Sequence, residues 1–162
     1  MPVLYKLREI EEALTWAAEL RHSGRRVVMT NGCFDLLHPG HIVHLQQAAD
    51  LADALFVALN SDRSVRELKG EGRPVYDQTQ RALALSALAC VDTVVVFDEL
   101  SPLGIIEELQ PEVYVKGGDY TLDTINQVER HVLESLGAEI HILPQVEDFS
   151  TTAVIRRLRD GV

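Results

Sequence analysis

The stretch R-V-V-M-T-N-G-C-F-D-L-L-H-P-G-H, residues 26–41, is the part of the sequence that decides the fold. It opens with a short run rich in β-branched residues, which predicts a buried β-strand over residues 26–30. Residues 31–39 form a predicted loop, and helical spacing resumes at Gly40. A buried strand that leads through a loop into a helix is the first part of a strand–helix–strand unit.

The rest of the chain repeats this alternation. Apolar runs predict strands at residues 54–59, 93–97, 112–115 and 138–143, and apolar spacing predicts helices at 4–22, 40–51, 61–68, 78–89, 102–109, 121–136 and 151–159. Buried strands that alternate with helices indicate a parallel sheet with right-handed crossovers. We therefore predict a Rossmann-like, doubly wound α/β fold with five parallel strands and helices on both faces. No linker or repeat interrupts it, so residues 1–162 are expected to form one domain, with an N-terminal helix at about 4–22 and a core at 25–162.

The composition narrows the class of protein. With 46% hydrophobic and 25% charged residues, the 162-residue chain is typical of a globular protein. A net charge of −10 disfavours nucleic-acid partners, which need a basic surface. No apolar run approaches the length of about 20 residues that a membrane span requires, and the N-terminus has no signal-peptide pattern. We expect a cytoplasmic protein in which Cys33 and Cys90 are free thiols.

The predicted loop after the first strand carries the main functional signal. In such sheets, ligands bind at the carboxyl ends of the strands where the strand order reverses, which points to the loops after the first and fourth strands. Pro39 suits the first turn of a helix, and Gly40 leaves space at a helix start whose free N–H groups favour an anion. His38 and His41 are three residues apart, so both can face one ligand.

Two imidazoles at a helix start can donate hydrogen bonds to a triphosphate and stabilise the charge that develops during transfer at phosphorus. The alternative is that both histidines only cap the helix and fill surface space. Their position around Pro-Gly, directly after a strand and an Asn-Gly turn, favours the functional interpretation.

These residues resemble a known family. H-P-G-H with the preceding G-C-F-D-L-L resembles the HxGH nucleotidyltransferase superfamily, which includes cytidylyltransferases and pantetheine-phosphate adenylyltransferase. The closer resemblance is to the adenylyltransferase domain of bacterial ADP-heptose synthesis. It extends over N-S-D-R-S-V-R-E-L-K-G-E-G-R-P-V (residues 60–75), A-L-A-C-V-D (87–92), V-K-G-G-D-Y (115–120) and F-S-T-T (149–152).

The resemblance implies an enzyme that transfers AMP from ATP to D-glycero-β-D-manno-heptose 1-phosphate, giving ADP-heptose, a lipopolysaccharide core precursor, and pyrophosphate. No covalent enzyme intermediate is implied, so positioning and charge stabilisation carry the catalysis. Mg²⁺ would be carried by the nucleotide phosphates, with no metal ligand expected from the protein.

The resemblance also assigns roles to residues of this sequence. The residues with catalytic roles would be His38, His41 and Lys69. The nucleotide would be bound by Thr30, Asn31, Gly32, Cys33, Phe34, Gly40, His41, Lys116, Gly117, Asp119, Ser150, Thr151 and Thr152. The sugar phosphate would be bound by Asp35, Asn60, Lys69, Arg73 and Arg81.

Two departures from the family pattern qualify this assignment. Glycerol-phosphate cytidylyltransferases have an arginine where this chain has Gln145, which favours ATP over CTP. Heptose relatives often have V-G-A-E-x-V near residue 126, where this chain has N-Q-V-E-R-H, and this departure predicts a different sugar pocket. The chain is also too short to include the kinase that many heptose enzymes fuse to this domain, so a separate sugar kinase is expected. A homodimer is a further expectation from the family.

Three alternatives remain open on the sequence. One is a cytidylyltransferase for glycerol 3-phosphate or another alcohol phosphate. A second is a nucleotide-binding sensor without turnover, and a third is a flavodoxin-like redox carrier with the same pattern of strands and helices.

Overall fold

Five parallel strands form one sheet in the computed structural model, which describes residues 4–118, 120–144, 151, 154 and 155. The strands are β1 (Val27–Gly32), β2 (Ala54–Asn60), β3 (Thr93–Phe97), β4 (Val113–Gly117) and β5 (Glu139–Leu143). Their order across the sheet is β3-β2-β1-β4-β5, and each neighbouring pair is parallel. The predicted five-stranded, Rossmann-like α/β fold is confirmed.

Six α-helices and one short 3-10 helix surround the sheet within the described residues. They are the 3-10 helix Leu4–Lys6 and α1 (Ile10–His22), α2 (Pro39–Ala49), α3 (Asp62–Lys69), α4 (Gln78–Ser86), α5 (Leu103–Leu109) and α6 (Gln127–Ser135). Apolar side chains of α1, α5 and α6 pack on one face of the sheet, and those of α2 and α4 pack on the other. Strands β1 to β4 are therefore covered on both sides, as their apolar sequences require, whereas the edge strand β5 is only partly buried.

Several predicted boundaries were wrong, and two of them have a clear local reason. The predicted helix over 4–22 is interrupted, because Leu7 bridges to Val94 and the Arg8 N–H donates to the Val94 carbonyl, so this segment lies along β3. The predicted helix over 121–136 begins only at Gln127, since the Asn126 side chain caps it. β1 continues to Gly32, two residues beyond the predicted strand.

The C-terminal part of the prediction is largely outside the described residues. Of the helix predicted over residues 151–159, the structure describes only residues 151, 154 and 155, which are helical. Among the helices of the described residues, none combines the length and the apolar character that crossing a membrane would demand.

Candidate active site

A cavity of about 650 Å³ opens at the carboxyl ends of β1, β2 and β4. This is the switch point of the sheet, since β1 lies between β2 and β4 and the chain leaves it in opposite directions. The predicted site residues that line it are Asn31, Gly32, Cys33, Phe34, Asp35, His38, Gly40, His41, Asn60, Lys69, Arg73, Lys116, Gly117 and Thr151. A second depression, of about 560 Å³, lies at the opposite edge around Arg21 and Glu112 and includes none of the predicted residues.

His38 and His41 form one wall of the cavity. His38 is the N-cap residue of α2, Pro39 begins the helix, and the His41 N–H donates to the His38 carbonyl at 2.9 Å. This tight first turn stacks the two imidazole rings, with centroids 3.7 Å apart and planes inclined by 23°. The Gly40 N–H has no backbone acceptor among the described residues. The helix start therefore presents two rings and a free N–H group to the cavity, which suits an anion.

Burial favours the neutral form of both rings. Burial lowers the pKa of His41 to about 4, with the neighbouring His38 and His44 contributing and the backbone of Leu36 opposing the shift. Burial also lowers the pKa of His38. A bound polyphosphate would favour the charged forms and would raise both pKa values.

A third histidine, His44, also lines this wall and was missed by the sequence analysis. The Thr30 hydroxyl donates to the Val115 carbonyl at 2.9 Å and lies 3.2 Å from Nε2 of His44. Because the hydroxyl proton is used on Val115, the Thr30 oxygen can only accept from His44, which places the proton of this ring on Nε2. The signal was present in the sequence, since His44 follows His41 at the same three-residue spacing.

Thr30 therefore has a different place from the one predicted. Its side chain is fully buried and is not part of the cavity lining, so it orients His44 and does not contact a nucleotide directly.

Asp35 holds the glycine-rich loop after α3 against the site. One carboxylate oxygen accepts from the N–H groups of Val75 and Tyr76 at 2.7 and 3.2 Å. The other lies 2.6 Å from Nε of Arg73. The Asp35 side chain is almost fully buried, and its charge is satisfied by the loop. Its carboxylate therefore positions Arg73 at the cavity, and since Asp35 itself lines the cavity, its contact with the sugar phosphate stays a prediction.

Lys69 and Arg73 give the β2 side of the cavity its positive charge. Both line the cavity, and Lys69 is exposed at the end of α3. Their charges reach the Cys33 thiol, where they oppose the rise in pKa that burial causes. The Cys33 thiol therefore stays protonated at neutral pH and lines the cavity as a small, uncharged group.

Arg81 is a structural residue, contrary to the prediction that it binds the substrate. Its side chain is buried and donates to the carbonyls of Tyr76, Cys33 and Asn60 at 2.6 to 3.0 Å and to the Asp62 carboxylate at 2.8 Å. These four bonds tie together the segments that follow β1 and β2. No face of the guanidinium group is left for a ligand, and Arg81 does not line the cavity.

The wall opposite the histidines is formed by a polar cluster that the sequence analysis only partly identified. Lys116 Nζ contacts the Asn31 side-chain oxygen at 3.1 Å, and the Tyr114 hydroxyl donates to the same oxygen at 2.8 Å. Glu129 of α6 lies beside them and is 4% exposed. Asn31, Lys116 and Glu129 line the cavity, and the ring of Tyr120 completes this side.

Tyr114, Tyr120 and Glu129 were not predicted as site residues. Only the departure from V-G-A-E-x-V drew attention to the segment of Glu129, because sequence spacing does not reveal which polar residue of a helix is buried. Burial lowers the pKa of Lys116, while the charge of Glu129 opposes that shift.

Some predicted positions lie outside the described residues. They are Asp119, Ser150 and Thr152, together with Gln145, on which the preference for ATP over CTP depends. Thr151 is described, and its side chain lines the cavity. Among the residues that the structure describes, no group of three or more His, Cys, Asp or Glu side chains is arranged to hold a metal ion.

Comparison with known proteins gives a family match over most of the chain. A family model described as cytidylyltransferase-like matches residues 29–157, which include the histidine pair and both sides of the cavity.

Similar proteins of known name are longer than this chain. The bifunctional protein HldE of Geobacter sulfurreducens is 49% identical over 153 residues, which are 94% of this chain and 31% of that protein. The bifunctional protein HldE of Koribacter versatilis is 51% identical over 146 residues, 90% of this chain and 30% of that protein. The chain thus spans about a third of the length of these relatives.

A solved structure supports the same fold. The crystal structure of the lipopolysaccharide core biosynthesis protein from Thermoplasma volcanium matches with a TM-score of 0.62 and 27% identity. The match covers 76% of this chain and 98% of that one.

Proposed function

Since the chain belongs to the cytidylyltransferase-like family, we propose that it is a nucleotidyltransferase that transfers AMP from MgATP to a sugar phosphate. The proposed acceptor is D-glycero-β-D-manno-heptose 1-phosphate, and the products are ADP-heptose and pyrophosphate. The observation that carries this proposal is the stacked pair of His38 and His41 at the start of α2, at the switch point of the sheet.

The chemistry follows from what this wall can stabilise. An oxygen of the acceptor phosphate attacks the α-phosphorus of ATP, a new P–O bond forms, and the bond to the bridging oxygen breaks as pyrophosphate leaves. Negative charge builds up on the departing phosphates. The N–H groups of the two imidazoles and of Gly40, aided by the positive end of α2, are placed to stabilise that charge. Catalysis of this kind needs no nucleophilic side chain.

The cations on the β2 side have a matching role in this proposal. Two phosphate groups, one from each substrate, must approach each other although both are negatively charged. Lys69 and Arg73 offset that repulsion, Arg73 from a position fixed by Asp35. Lys69 is not held in an ion pair among the described residues, so its ammonium group is available to the acceptor phosphate.

The match to HldE proteins supports the choice of ATP and a heptose phosphate, because their similarity extends over nine-tenths of this chain. A kinase that acts earlier must install the acceptor phosphate. That this kinase is a separate protein, that the enzyme is a homodimer, and that it works in the cytoplasm stay predictions.

The decisive experiment is a substrate matrix. The purified full chain is mixed with Mg²⁺, with ATP or CTP, and with heptose 1-phosphate, other sugar 1-phosphates or glycerol 3-phosphate, and pyrophosphate release is measured. The expected result is release with ATP and the heptose phosphate, with ADP-heptose identified by its mass. Release with CTP and glycerol 3-phosphate would support the cytidylyltransferase alternative, and nucleotide binding without any release would support the sensor.

A further inference from the structure

The polar cluster opposite the histidines contains more hydrogen-bonding groups than it uses. We call Asn31, Tyr114, Lys116 and Glu129, together with Ser101, the Glu129 cluster. Glu129 is a carboxylate 96% removed from solvent, yet it lies in the wall of an open cavity together with Asn31 and Lys116. A buried carboxylate is costly unless hydrogen bonds and a partner charge offset its lost hydration.

The donors around Glu129 do not satisfy both of its oxygens. The Ser101 hydroxyl donates to Oε1 at 2.8 Å. Oε2 has only the Tyr114 hydroxyl at 3.4 Å and Lys116 Nζ at 3.8 Å near it. The single proton of Tyr114 is better placed on the Asn31 oxygen, at 2.8 Å, and a separation of 3.8 Å is too long for a hydrogen bond. Within the described residues, Oε2 is therefore an acceptor that lacks a well-placed donor.

Two residues of the Glu129 cluster also have hydrogen-bond donors without an acceptor among the described residues. The Asn31 oxygen receives Tyr114 and Lys116, so its amide nitrogen must point the other way, and it has no acceptor among the described residues. Lys116 has three N–H groups but only two contacts of hydrogen-bond length, to Asn31 at 3.1 Å and to Tyr114 at 3.4 Å. The cavity wall thus offers one carboxylate acceptor together with an ammonium and an amide donor.

This arrangement selects the chemistry of a ligand. A phosphate group would be repelled by the buried carboxylate, and an apolar group would leave all three polar groups unsatisfied. A hydroxyl both donates and accepts, so one hydroxyl can donate to Glu129 while it accepts from Lys116, and a neighbouring hydroxyl can accept from Asn31. The Tyr120 ring beside the cluster is 46% exposed, and Lys116 Nζ lies 5.8 Å from its centre. An aromatic face next to hydroxyl-binding groups suits the C–H face of a sugar ring.

We propose that Glu129, with Lys116 and Asn31, forms a subsite that binds two adjacent hydroxyl groups of a sugar ring. The subsite lies on the side of the sheet away from α2, so it is separate from the wall that binds phosphate. It deepens the proposed function, because that reaction brings two sugars to the cavity, the ring of the acceptor and the ribose of ATP.

The test compares Glu129→Gln with Glu134→Gln, a matched control on the exposed side of the same helix. Glutamine keeps the size and the contact with Ser101 but removes the charged acceptor. With the full chain and pyrophosphate release as readout, Glu129→Gln should raise the KM for the substrate that carries the diol by on the order of tenfold or more. The kcat should change much less, and Glu134→Gln should match the wild type. Unchanged KM values for both substrates would overturn the proposal.

Substrate analogues identify the sugar and need no variant. The wild type is assayed with 2′-deoxy-ATP and 3′-deoxy-ATP, and with sugar 1-phosphates that lack one ring hydroxyl. If KM rises only for the ATP analogues or only for the sugar analogues, the subsite binds the corresponding substrate. Glu129→Gln should then cause no further rise in the KM of that analogue. Equal turnover of all analogues and their parents would overturn the proposal, even if the variant proved too unstable to assay.

The subsite can also be tested if no acceptor supports turnover. Binding of adenosine and of the unphosphorylated sugars is then followed by NMR on the wild type, Glu129→Gln and Glu134→Gln. Binding that only Glu129→Gln loses supports the subsite, although the transfer reaction itself has failed. If neither adenosine nor any of the unphosphorylated sugars binds to the wild type, this result would count against the subsite.

Discussion

Gly117 lies directly against the imidazole ring of His44, so close that a Cβ atom at Gly117 would stand 2.6 Å from Nδ1 of that ring. Such a distance is far below van der Waals contact. The end of β4 and the helix that carries the histidine pair are therefore packed together through a residue that must be glycine. Because His44 is also held by Thr30, the ring cannot move away without losing that hydrogen bond.

We expect Gly117→Ala to destabilise the protein by about 1–3 kcal/mol, the usual cost of forcing an extra methyl group into a packed site. Denaturant unfolding measures the change. Gly104→Ala is the control. Gly104 lies in α5, and a Cβ atom at this position would meet nothing within 4 Å. Adding His44→Ala to Gly117→Ala removes the clash, so the double variant should lose less stability than the sum of the two single variants. Simple additivity would argue against the contact.

His41→Ala should lower kcat by about 10²–10³-fold, the range found when one donor to a developing charge is removed. The Kd for ATP should rise much less, because the phosphates keep Gly40, His38 and the cations of the β2 side in the ground state. Single-turnover rates and equilibrium ATP binding measure the two effects separately. His131→Ala, on the exposed side of α6, is the control. Equal losses in kcat and in ATP affinity would favour the sensor.

The histidine pair could be predicted from the sequence because its function depends on local geometry. Pro39 and Gly40 indicate a helix start, and a spacing of three places both rings on one side of its first turn. The cavity could also be located, since the carboxyl ends of parallel strands lie at one edge and the order of strand–helix units limits where that edge reverses. At the start of α2 and at the carboxyl edge of the sheet, the sequence pattern therefore predicts the same arrangement as the folded structure shows.

The roles of Arg81 and Glu129 could not be predicted, because they depend on packing between distant segments. Arg81 lies in a helix where a surface ion pair explains an arginine nearly as well, and only the approach of the Cys33, Asn60 and Tyr76 carbonyls shows that it is buried. Glu129 lies in an ordinary polar stretch of α6, whose start at Gln127 the apolar spacing did not reveal. Burial of a polar side chain is a property of the assembled fold and leaves little trace in its own sequence neighbourhood.

The histidines should make the protein less stable as the pH falls from neutrality. The pKa of His41 is about 4 in the folded protein, below the ordinary value of 6.5, so between these values the unfolded chain binds more protons than the folded one. The stabilisation is present above pH 6.5 and is lost towards pH 4, at about 1.4 kcal/mol for each unit of pKa difference. Urea unfolding between pH 7.5 and 4.5 measures this slope, which His41→Gln should reduce. An unchanged slope in the variant would contradict the assignment.

Triphosphate binding should move the same pKa in the opposite direction. The negative charge of the phosphates stabilises imidazolium, so the pKa values of His38 and His41 should both rise when the ATP analogue α,β-methylene-ATP is added with Mg²⁺. NMR titration of the histidine ring protons measures each pKa with and without the analogue. Adenosine, which has no phosphate, is the control ligand and should leave both values unchanged. The absence of any upward shift with the analogue would place the phosphates away from α2.

Arg81 and Lys69 are both basic residues predicted at the substrate side of the cavity, and the structure predicts opposite consequences for their removal. Arg81→Lys cannot reproduce four hydrogen bonds from one planar group, and it leaves buried carbonyls unsatisfied, so unfolding free energy should fall by about 2–4 kcal/mol. Lys69→Met affects an exposed side chain, and the free energy of unfolding of this variant should stay within about 0.5 kcal/mol of the wild type.

Denaturant unfolding and the KM for the sugar phosphate are measured for both variants. Lys69→Met should raise this KM strongly, whereas the fraction of Arg81→Lys that remains folded should keep a KM close to that of the wild type. A stable Arg81→Lys enzyme with a greatly raised KM would show that Arg81 contacts the substrate after all.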